Sequence, residues 1–244
     1  MKKALAEELR AAGCWRQVGF FTEVELREMA PLFLDHTRAA GSRPTVSAVA
    51  GFSAVVRVVD LVGEMLGTGT RVIRALALNK SPDANWTLGW HQDRVIEVAR
   101  QADAPGFGRW TQKAGRPHVA PPFAVLAQMV TARLHLDAVD EGNAPLLVLP
   151  GSHQLGIVDE PDIGSAVGAG SPIACLADAG DVWLYATPIL HASRPAASPH
   201  RRRVLQIDMS AQTLPGSLEW APLGEVAGAD SASNCGRSTV SLER

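Results

Sequence analysis

The sequence predicts a mainly β protein, an antiparallel sandwich or barrel with flanking helices from the N-terminal third. From Thr70 onward, short runs of β-type residues alternate with Gly, Pro, Asn and Asp. These runs are not separated by the regular helices that a parallel α/β sheet requires. The chain of 244 residues is long enough for one large domain of this kind.

The first third of the chain carries the helical signals. Residues 1–13 form an amphipathic pattern, and Thr22-Glu23-Val24-Glu25 fits a capping box at the start of a second helix. Pro31 is expected to bend that helix. Ser53–Leu66 has helical spacing and is followed by a glycine, a residue that often ends helices. We therefore predict that residues 1–69 are mainly helical.

Six strands are predicted in the β core, which should cover residues 70–215. They lie near Arg71–Leu78, Arg94–Ala99, Ala124–Leu136, Leu146–Leu149, Asp181–Tyr185 and Arg203–Met209. The stretch Ala102–Pro122 contains several Pro and Gly residues, and a loop of this length usually covers a binding site. A single domain is predicted over residues 1–227, followed by a flexible tail, 228–244, of small polar residues.

Composition and charge exclude several classes of function. A net charge of −2 and a pI of about 6.4 provide no general basic field for nucleic acid. No segment approaches the roughly 18 apolar residues of a membrane helix, and the N-terminus does not resemble a signal peptide. Cys14, Cys175 and Cys235 form no disulfide framework. We expect a cytoplasmic monomer or small homo-oligomer whose partner is a small molecule, with no nucleic acid or membrane partner.

The segment Trp90-His91-Gln92-Asp93 suggests a metal site. In a strand His91 and Asp93 point to the same face, and a second histidine, His191, follows the predicted strand Asp181–Tyr185. Two imidazoles and a carboxylate form the facial triad of non-haem Fe(II) oxygenases, which leaves positions for a bidentate cosubstrate and O₂. An isolated HxD is more often a surface pair, and zinc also accepts this ligand set, although the HExxH helix of many zinc hydrolases is absent.

A basic run follows His191 after a turn rich in Pro and Ser. An arginine at the start of the next strand could bind the far carboxylate of a dicarboxylate on the metal, and the Ser193 hydroxyl could add a donor. Strand alternation places Arg201 and Arg203 on one face and Arg202 on the other. The alternative for this run is a solvated basic end of a strand.

Three blocks of sequence resemble the phytanoyl-CoA dioxygenase family of Fe(II)/2-oxoglutarate oxygenases, within it the bacterial small-molecule hydroxylases. The blocks are Trp90–Asp93, Asn143–His153 and Gly180–Asp208, and together they span most of the chain from residue 80 to 210. The resemblance implies a double-stranded β-helix, which is a cupin-like jelly-roll sandwich of antiparallel strands. It also implies that the helices of the N-terminal third pack on one of the two sheets.

The resemblance assigns roles to individual residues. His91, Asp93 and His191 would bind Fe(II), Arg202 would bind the C5 carboxylate of 2-oxoglutarate, and Ser193 would assist it. The implied reaction consumes O₂ and releases succinate and CO₂, with ascorbate as a reductant. Related halogenases replace the carboxylate ligand with a small residue, so the presence of Asp93 favours hydroxylation or another oxidation.

Strand alternation also predicts part of the wall of the pocket. Within Val130–Leu136, Thr131, Arg133 and His135 share one face, and the apolar residues share the other. If the apolar face meets the helices, Thr131 and Arg133 line the active site, where Thr131 would contact the cosubstrate and Arg133 the substrate. The alternative is a polar face turned to solvent.

The immediate sequence context suggests roles for five other residues. Trp86, Trp90 and Trp110 are candidates for a substrate wall, with core packing as the default for each. Lys80 is expected at the surface, and His153 is expected in a structural hydrogen bond and not on the metal.

Two other classes of function remain open from the sequence. One is a metal-dependent hydrolase or isomerase on the same jelly-roll, which would not need Arg202. The other is a non-catalytic member of the family that binds a ligand. The sequence does not identify the substrate.

Overall fold

The computed structural model describes residues 2–33, 40–113, 115–198 and 200–221. The chain in these ranges is mainly β, and every strand pairing is antiparallel. No helix within these ranges has the length and apolar character needed to cross a membrane. The predicted tail 228–244 and the domain boundary at residue 227 lie outside the described residues.

Six helices lie in the described chain. They are α1 (Lys2–Ala11), α2 (Glu23–Met29), α3 (Val46–Ala50), α4 (Ser53–Leu66), α5 (Phe123–Leu126) and α6 (Glu160–Ala169), and α1, α2 and α4 are the ones that the sequence predicted. The predicted capping box is present, because the Thr22 hydroxyl accepts from the Glu25 amide while the Glu25 carboxylate accepts from the Thr22 amide. Helix α2 gives way to a 3₁₀ turn at Ala30–Phe33, where Pro31 lies.

Three sheets contain all the named strands of the described chain. The six-stranded sheet has the order β1-β11-β8-β13-β3-β2, the four-stranded sheet the order β10-β9-β12-β4, and the small sheet the order β5-β7-β6. The strands are β1 (Cys14–Gln17), β2 (Gly41–Ser42), β3 (Arg71–Lys80), β4 (Leu88–His91), β5 (Ile96–Glu97), β6 (Gly108–Lys113), β7 (Arg116–Ala120), β8 (Val130–His135), β9 (Leu146–Val148), β10 (Ile173–Cys175), β11 (Val182–Ala186), β12 (His191–Ser193) and β13 (Arg202–Ser210).

The two larger sheets face each other, and the helices cover the outside of the six-stranded sheet. Apolar side chains of β8 and β13 pack with those of α4 in one buried cluster, which includes Leu134, Leu205 and Val58. Burying one such side chain contributes roughly 1.5–3 kcal/mol. Because the apolar faces of β8 and β13 are used in this way, their polar faces point into the space between the sheets. The alternative of a polar face turned to solvent is therefore wrong.

Two strand predictions were too long. Only Ile96–Glu97 of the predicted strand Arg94–Ala99 is a strand, and the predicted Ala124–Leu136 begins as helix α5 before β8 starts at Val130. Pro121 and Pro122 precede α5, and proline is well suited to the first turn of a helix. Apolar residues alone did not distinguish this short buried helix from a strand.

The predicted loop Ala102–Pro122 is a β-hairpin over most of its length. Strands β6 and β7 pair there, and Gly115 in the turn has a φ of 74°. Trp110 packs against a small apolar cluster that includes Ile96 and Val119. This burial gives the segment a core of its own, which its Pro and Gly content had obscured.

Candidate metal centre

His91, Asp93 and His191 lie together between the two larger sheets. One potential ligand atom from each residue lies within 4.8 Å of the other two. His91 ends β4 and is the direct cross-strand partner of His191 at the start of β12, so the sheet register itself brings the two imidazoles together. Their ring centroids are 4.2 Å apart. Asp93 lies two residues beyond the end of the strand in which the sequence had placed it.

Backbone hydrogen bonds set the tautomer of both histidines. His91 Nδ1 lies 2.8 Å from the Gly89 carbonyl oxygen, and His191 Nδ1 lies 2.9 Å from that of Ile189. A carbonyl can only accept, so each Nδ1 carries the proton and each Nε2 keeps its lone pair. Metal-binding histidines are usually oriented in this way, which leaves Nε2 as the ligand atom.

The charges around Asp93 keep it ionised. Burial opposes its ionisation, but the charge of Arg74 and its hydrogen bond to the carboxylate hold the pKa of Asp93 well below its ordinary value. Arg74 Nη2 donates to Asp93 Oδ2 at 3.0 Å. Burial, followed by the proximity of His91, lowers the pKa of His191 to about 3, so this imidazole is neutral at physiological pH. Two imidazoles and one carboxylate are the donor set that suits a divalent transition metal.

Gln92 points away from the triad and fixes the backbone between its first two members. Its amide nitrogen donates to the carbonyl oxygens of Gly156 and Pro188 at 2.8 Å each, and its amide oxygen accepts from the Val158 amide at 2.9 Å. The side chain is buried. All three bonds connect the segment 91–93 to neighbouring loops, so Gln92 holds His91 and Asp93 in place from behind.

Arg202 lies on the interior face of β13, unlike the two arginines beside it. Its side chain is buried, and Nη1 donates to the Ala144 carbonyl oxygen. Its Nε and Nη2 are buried without a hydrogen-bond partner among the described residues. Arg203 instead forms two hydrogen bonds of 2.8 Å with Asp137 on the opposite face, and Arg201 lies 3.5 Å from the same carboxylate.

Lys80 is fully buried, which corrects the expectation of a surface lysine. It is the cross-strand partner of Arg202, and its Nζ donates to the carbonyl oxygens of Trp86 and Arg194 at 2.7 Å each and to Ser193 Oγ at 3.4 Å. Burial, aided by the charge of Arg202, lowers the pKa of Lys80 to about 7. Position 80 is the last residue of a strand, a place where an isolated lysine gives no sign of burial, so the sequence could not reveal this.

Three basic side chains therefore meet between the sheets, and none of them pairs with a carboxylate of the described residues. Lys80, Arg133 and Arg202 form no salt bridge within the part of the chain that the structure describes. Burial, with the charge of Arg133, lowers the pKa of Arg202 to about 9. Arg133 donates to Gln206 at 2.8 Å but leaves its Nε unpaired. Buried cations with free donors are suited to binding an anion.

The other residues predicted from the sequence, Thr131, Trp90, Trp110 and His153, do not form one cluster in the structure. The Thr131 hydroxyl is hydrogen-bonded to Asp208 and Thr187 at 3.0 Å each, on the interior side of the sheet. Trp90 packs against a cluster of Leu149, Ile163 and Leu190, and Trp110 packs against the cluster beneath the β6–β7 hairpin. His153 forms a hydrogen bond of 3.2 Å with the Arg10 carbonyl and lies outside the triad, as expected.

The sequence did not single out Arg74 and Asp208, which the structure places at the site, and it named Trp86 only as a candidate for the substrate wall. Arg74 and Asp208 form an ion pair beside Asp93, and the Trp86 ring lies under two cations, with its centroid 4.5 Å from Lys80 Nζ and 5.8 Å from Arg202 Cζ. For Asp208 one signal was available in the sequence. It lies six positions after Arg202 on β13, so strand alternation places Asp208 and Arg202 on the same face.

Comparison with known proteins gives one family and one fold. A family model described as phytanoyl-CoA dioxygenase (PhyH) matches residues 15–204. A comparison with curated protein sequences gives no match. Among solved structures, the non-heme alpha ketoglutarate dependent epimerase SnoN from nogalamycin biosynthesis has 17% identity and a TM-score of 0.61, covering 100% of this chain and 96% of its own.

Two further structures extend this similarity. The non-heme alpha ketoglutarate dependent carbocyclase SnoK from nogalamycin biosynthesis has 14% identity and a TM-score of 0.60, over 86% of this chain and 83% of its own. HygX from Streptomyces hygroscopicus, with nickel and 2-oxoglutarate bound, has 14% identity and a TM-score of 0.58, over 86% of this chain and 87% of its own. At these identities the similarity shows the fold, which confirms the predicted double-stranded β-helix.

Proposed function

This chain belongs to the phytanoyl-CoA dioxygenase family, and on that premise we propose that it is an Fe(II)- and 2-oxoglutarate-dependent oxygenase acting on a small organic molecule. One observation carries the proposal. A cluster of two histidines and one aspartate lies between the sheets, together with a buried arginine, two of whose nitrogens have no hydrogen-bond partner among the described residues. The cluster suits the metal, and the arginine suits the cosubstrate.

The triad would hold Fe(II) through His91 Nε2, His191 Nε2 and an Asp93 oxygen. Bound iron would activate O₂ and couple the oxidative decarboxylation of 2-oxoglutarate to oxidation of the substrate. The protein directs the Nδ1 of both imidazoles to backbone carbonyls, which leaves each Nε2 for the metal, and it keeps the carboxylate ionised. Gln92 holds the loop that carries Asp93, so the three ligands are positioned before the metal arrives.

Arg202 would anchor the far carboxylate of 2-oxoglutarate, with Ser193 as a second donor. Its Nε and Nη2 can offer a two-pronged contact, since Nη1 is already occupied by the Ala144 carbonyl. Arg133 lies close enough for its charge to lower the pKa of both Lys80 and Arg202, and the charge of Arg202 also lowers the pKa of Lys80. A dianionic cosubstrate would offset the cost of burying these cations together.

Hydroxylation is the reaction that we propose, with release of succinate and CO₂. Asp93 supports it, because the carboxylate ligand that halogenases lack is present here. SnoN is described as an epimerase and SnoK as a carbocyclase, so this fold serves other oxidative outcomes as well. Analysis of the product by mass spectrometry distinguishes these outcomes, because only hydroxylation adds one oxygen atom.

Arg43 supports an anionic group on the substrate. Its Nη1 is buried without a hydrogen-bond partner among the described residues, and its guanidinium lies near the charges of Arg74, Glu97 and Asp93. We therefore expect carboxylic acids to be better substrates than their esters. A cytoplasmic location and a monomer or small homo-oligomer are proposed as well, and the buried, unpaired Cys14 and Cys175 suit a reducing compartment.

The proposal is tested by turnover of 2-oxoglutarate without an added substrate. The purified protein, supplied with Fe(II), ascorbate and O₂, should form succinate and CO₂, and Asp93→Ala should abolish this activity. His153→Ala removes a histidine outside the triad and should leave the activity intact. Succinate formation that persists in Asp93→Ala would show that the triad does not hold the catalytic metal. Its absence from the wild type across a broad substrate panel would favour a non-catalytic role.

A further inference from the structure

Four polar side chains form a continuous row across the six-stranded sheet. They are direct cross-strand partners on adjacent strands: Arg74 on β3, Asp208 on β13, Thr131 on β8 and Tyr185 on β11. All four side chains are buried. Direct partners in a sheet hold their side chains about 5 Å apart, so the register assembles this row without any loop.

The row meets the metal triad at both ends. Arg74 Nη2 donates to Asp93 Oδ2 at 3.0 Å, and the Tyr185 ring centroid lies 5.8 Å from that of His191. Within the row, Arg74 Nε donates to Asp208 Oδ2, and Thr131 Oγ1 donates to Asp208 Oδ1 at 3.0 Å. Each oxygen of Asp208 is therefore in use, and the plane of the Arg74 guanidinium is fixed between two carboxylates.

We propose that Arg74, held in place by Asp208 and Thr131, is a positioning residue that restricts Asp93 to one-oxygen coordination of the metal. This inference rests on the proposed function. Arg74 occupies Asp93 Oδ2, which leaves Oδ1 for the metal. A carboxylate that turned to bind through both oxygens would break a charge-assisted hydrogen bond and would bring the guanidinium closer to a divalent cation.

One-oxygen coordination matters because of the number of positions around the metal. Three protein ligands leave three positions of an octahedral ion, and a bidentate cosubstrate with O₂ fills all of them. A bidentate Asp93 would take one of these positions. Asp208 also pairs with the Arg74 guanidinium and offsets part of its positive charge, so a divalent cation meets less repulsion than it would if Arg74 acted alone.

The alternative is an ion pair that stabilises the fold and has no effect on the metal. The two possibilities differ in metal affinity, which does not depend on turnover. The full-length protein, freed of metal by chelation, is titrated with Mn²⁺, and free Mn²⁺ is measured by electron paramagnetic resonance. Arg74→Gln should weaken Mn²⁺ binding about 10- to 100-fold, the usual effect of losing a group that orients a ligand. Arg74→Lys, which cannot bridge both carboxylates, should recover part of the affinity.

Two further variants keep the test decisive. Arg74→Gln leaves Asp208 buried without its cation, so this variant can be too unstable to titrate. Thr131→Val and Asp208→Asn preserve side-chain volume and should each weaken Mn²⁺ binding by several-fold. Arg203→Gln is the matched control, since it removes a guanidinium bound to Asp137 on the other face of the same strand and should leave the affinity unchanged.

The outcomes separate this inference from the proposed function. The metal site itself would be refuted if the wild-type protein bound no Mn²⁺, or if the Asp93→Ala variant bound Mn²⁺ as tightly as the wild type. Wild-type binding that depends on Asp93 but is unchanged or stronger in folded Arg74→Gln or Asp208→Asn would overturn the positioning role alone. Circular dichroism and thermal denaturation of each variant establish that the titrated protein is folded.

Discussion

Lys80 Nζ lies 3.4 Å from Ser193 Oγ and joins the end of β3 to the strand that carries the second histidine. The same ammonium donates to the carbonyl oxygens of Trp86 and Arg194 at 2.7 Å each. Lys80 therefore ties three segments together at the end of the pocket where Arg202 lies. We therefore expect Lys80 to affect the binding of the cosubstrate although it is not a ligand of the metal.

Substitution of Lys80 by Met should raise the KM for 2-oxoglutarate about 10-fold while leaving Mn²⁺ affinity unchanged. The variant loses the donor to Ser193 and a buried basic group near Arg202, which a bound dianion would keep protonated, and hydrogen bonds to charged groups contribute roughly 1.5–3 kcal/mol. Lys3→Met, at an exposed position of α1, is the control. An unchanged KM in folded Lys80→Met would mean that Lys80 serves only as a hydrogen-bond donor to the two backbone carbonyls.

Arg202→Met should weaken 2-oxoglutarate binding at least 100-fold. The substitution removes both free donors, Nε and Nη2, which we assign to the distal carboxylate. Arg203→Met removes the neighbouring guanidinium, which is paired with Asp137, and should change binding little. Quenching of tryptophan fluorescence by 2-oxoglutarate in the Mn²⁺-loaded protein measures the difference. Catalytic activity that survived Arg202→Met would favour a hydrolase or isomerase.

The architecture was readable from the sequence because its signals are local and periodic. The capping box at Thr22, the helix Ser53–Leu66 and the apolar alternation of β8 and β13 each specify an element and its buried face. The hairpin at residues 108–120 was missed for the opposite reason. Its strands are short and rich in polar residues, and their stability comes from contacts with distant parts of the chain, such as Ile96 and Leu218.

The candidate site was predictable where its residues form a motif and hidden where they do not. His91 and Asp93 are two positions apart, and Arg202 follows His191 at a distance that the family resemblance supplied. Arg74 and Lys80 carry no such mark. The contact of Arg74 with Asp208 arises from the pairing of β3 with β13, and the contacts of Arg74 with Asp93 and of Lys80 with Ser193 join β3 to segments outside its own sheet. A single sequence does not encode that register in any short pattern.

Leu205→Ala should lower the free energy of unfolding by about 2–5 kcal/mol and leave Mn²⁺ affinity unchanged. Leu205 is fully buried on the face of β13 that packs against the helices, opposite Arg202 and Asp208. Urea denaturation of the metal-free protein measures the loss. A large drop in metal affinity in the folded variant would contradict the separation of the two faces of β13.

Acid should destabilise the protein through His118, on the small sheet. The side chain is fully buried, and burial lowers its pKa from 6.5 to about 4, while Nδ1 lies 3.0 Å from the Arg116 carbonyl. Between these values the unfolded chain binds a proton that the folded chain does not, so stability falls as pH drops from about 6.5 and levels off below about 4.

His118→Gln removes this group and should remove its part of the pH dependence. Between pH 7 and pH 4 the wild type should lose on the order of 2 kcal/mol more stability than the variant, measured from urea denaturation at several pH values. Above pH 7 His118 is neutral in both the folded and the unfolded protein. The difference in the free energy of unfolding between the wild type and the variant should therefore be constant there. Parallel curves from pH 7 to pH 4 would mean that the folded protein protonates His118 as readily as the unfolded chain, with Glu97, 3.7 Å from its Nε2, as the compensating charge.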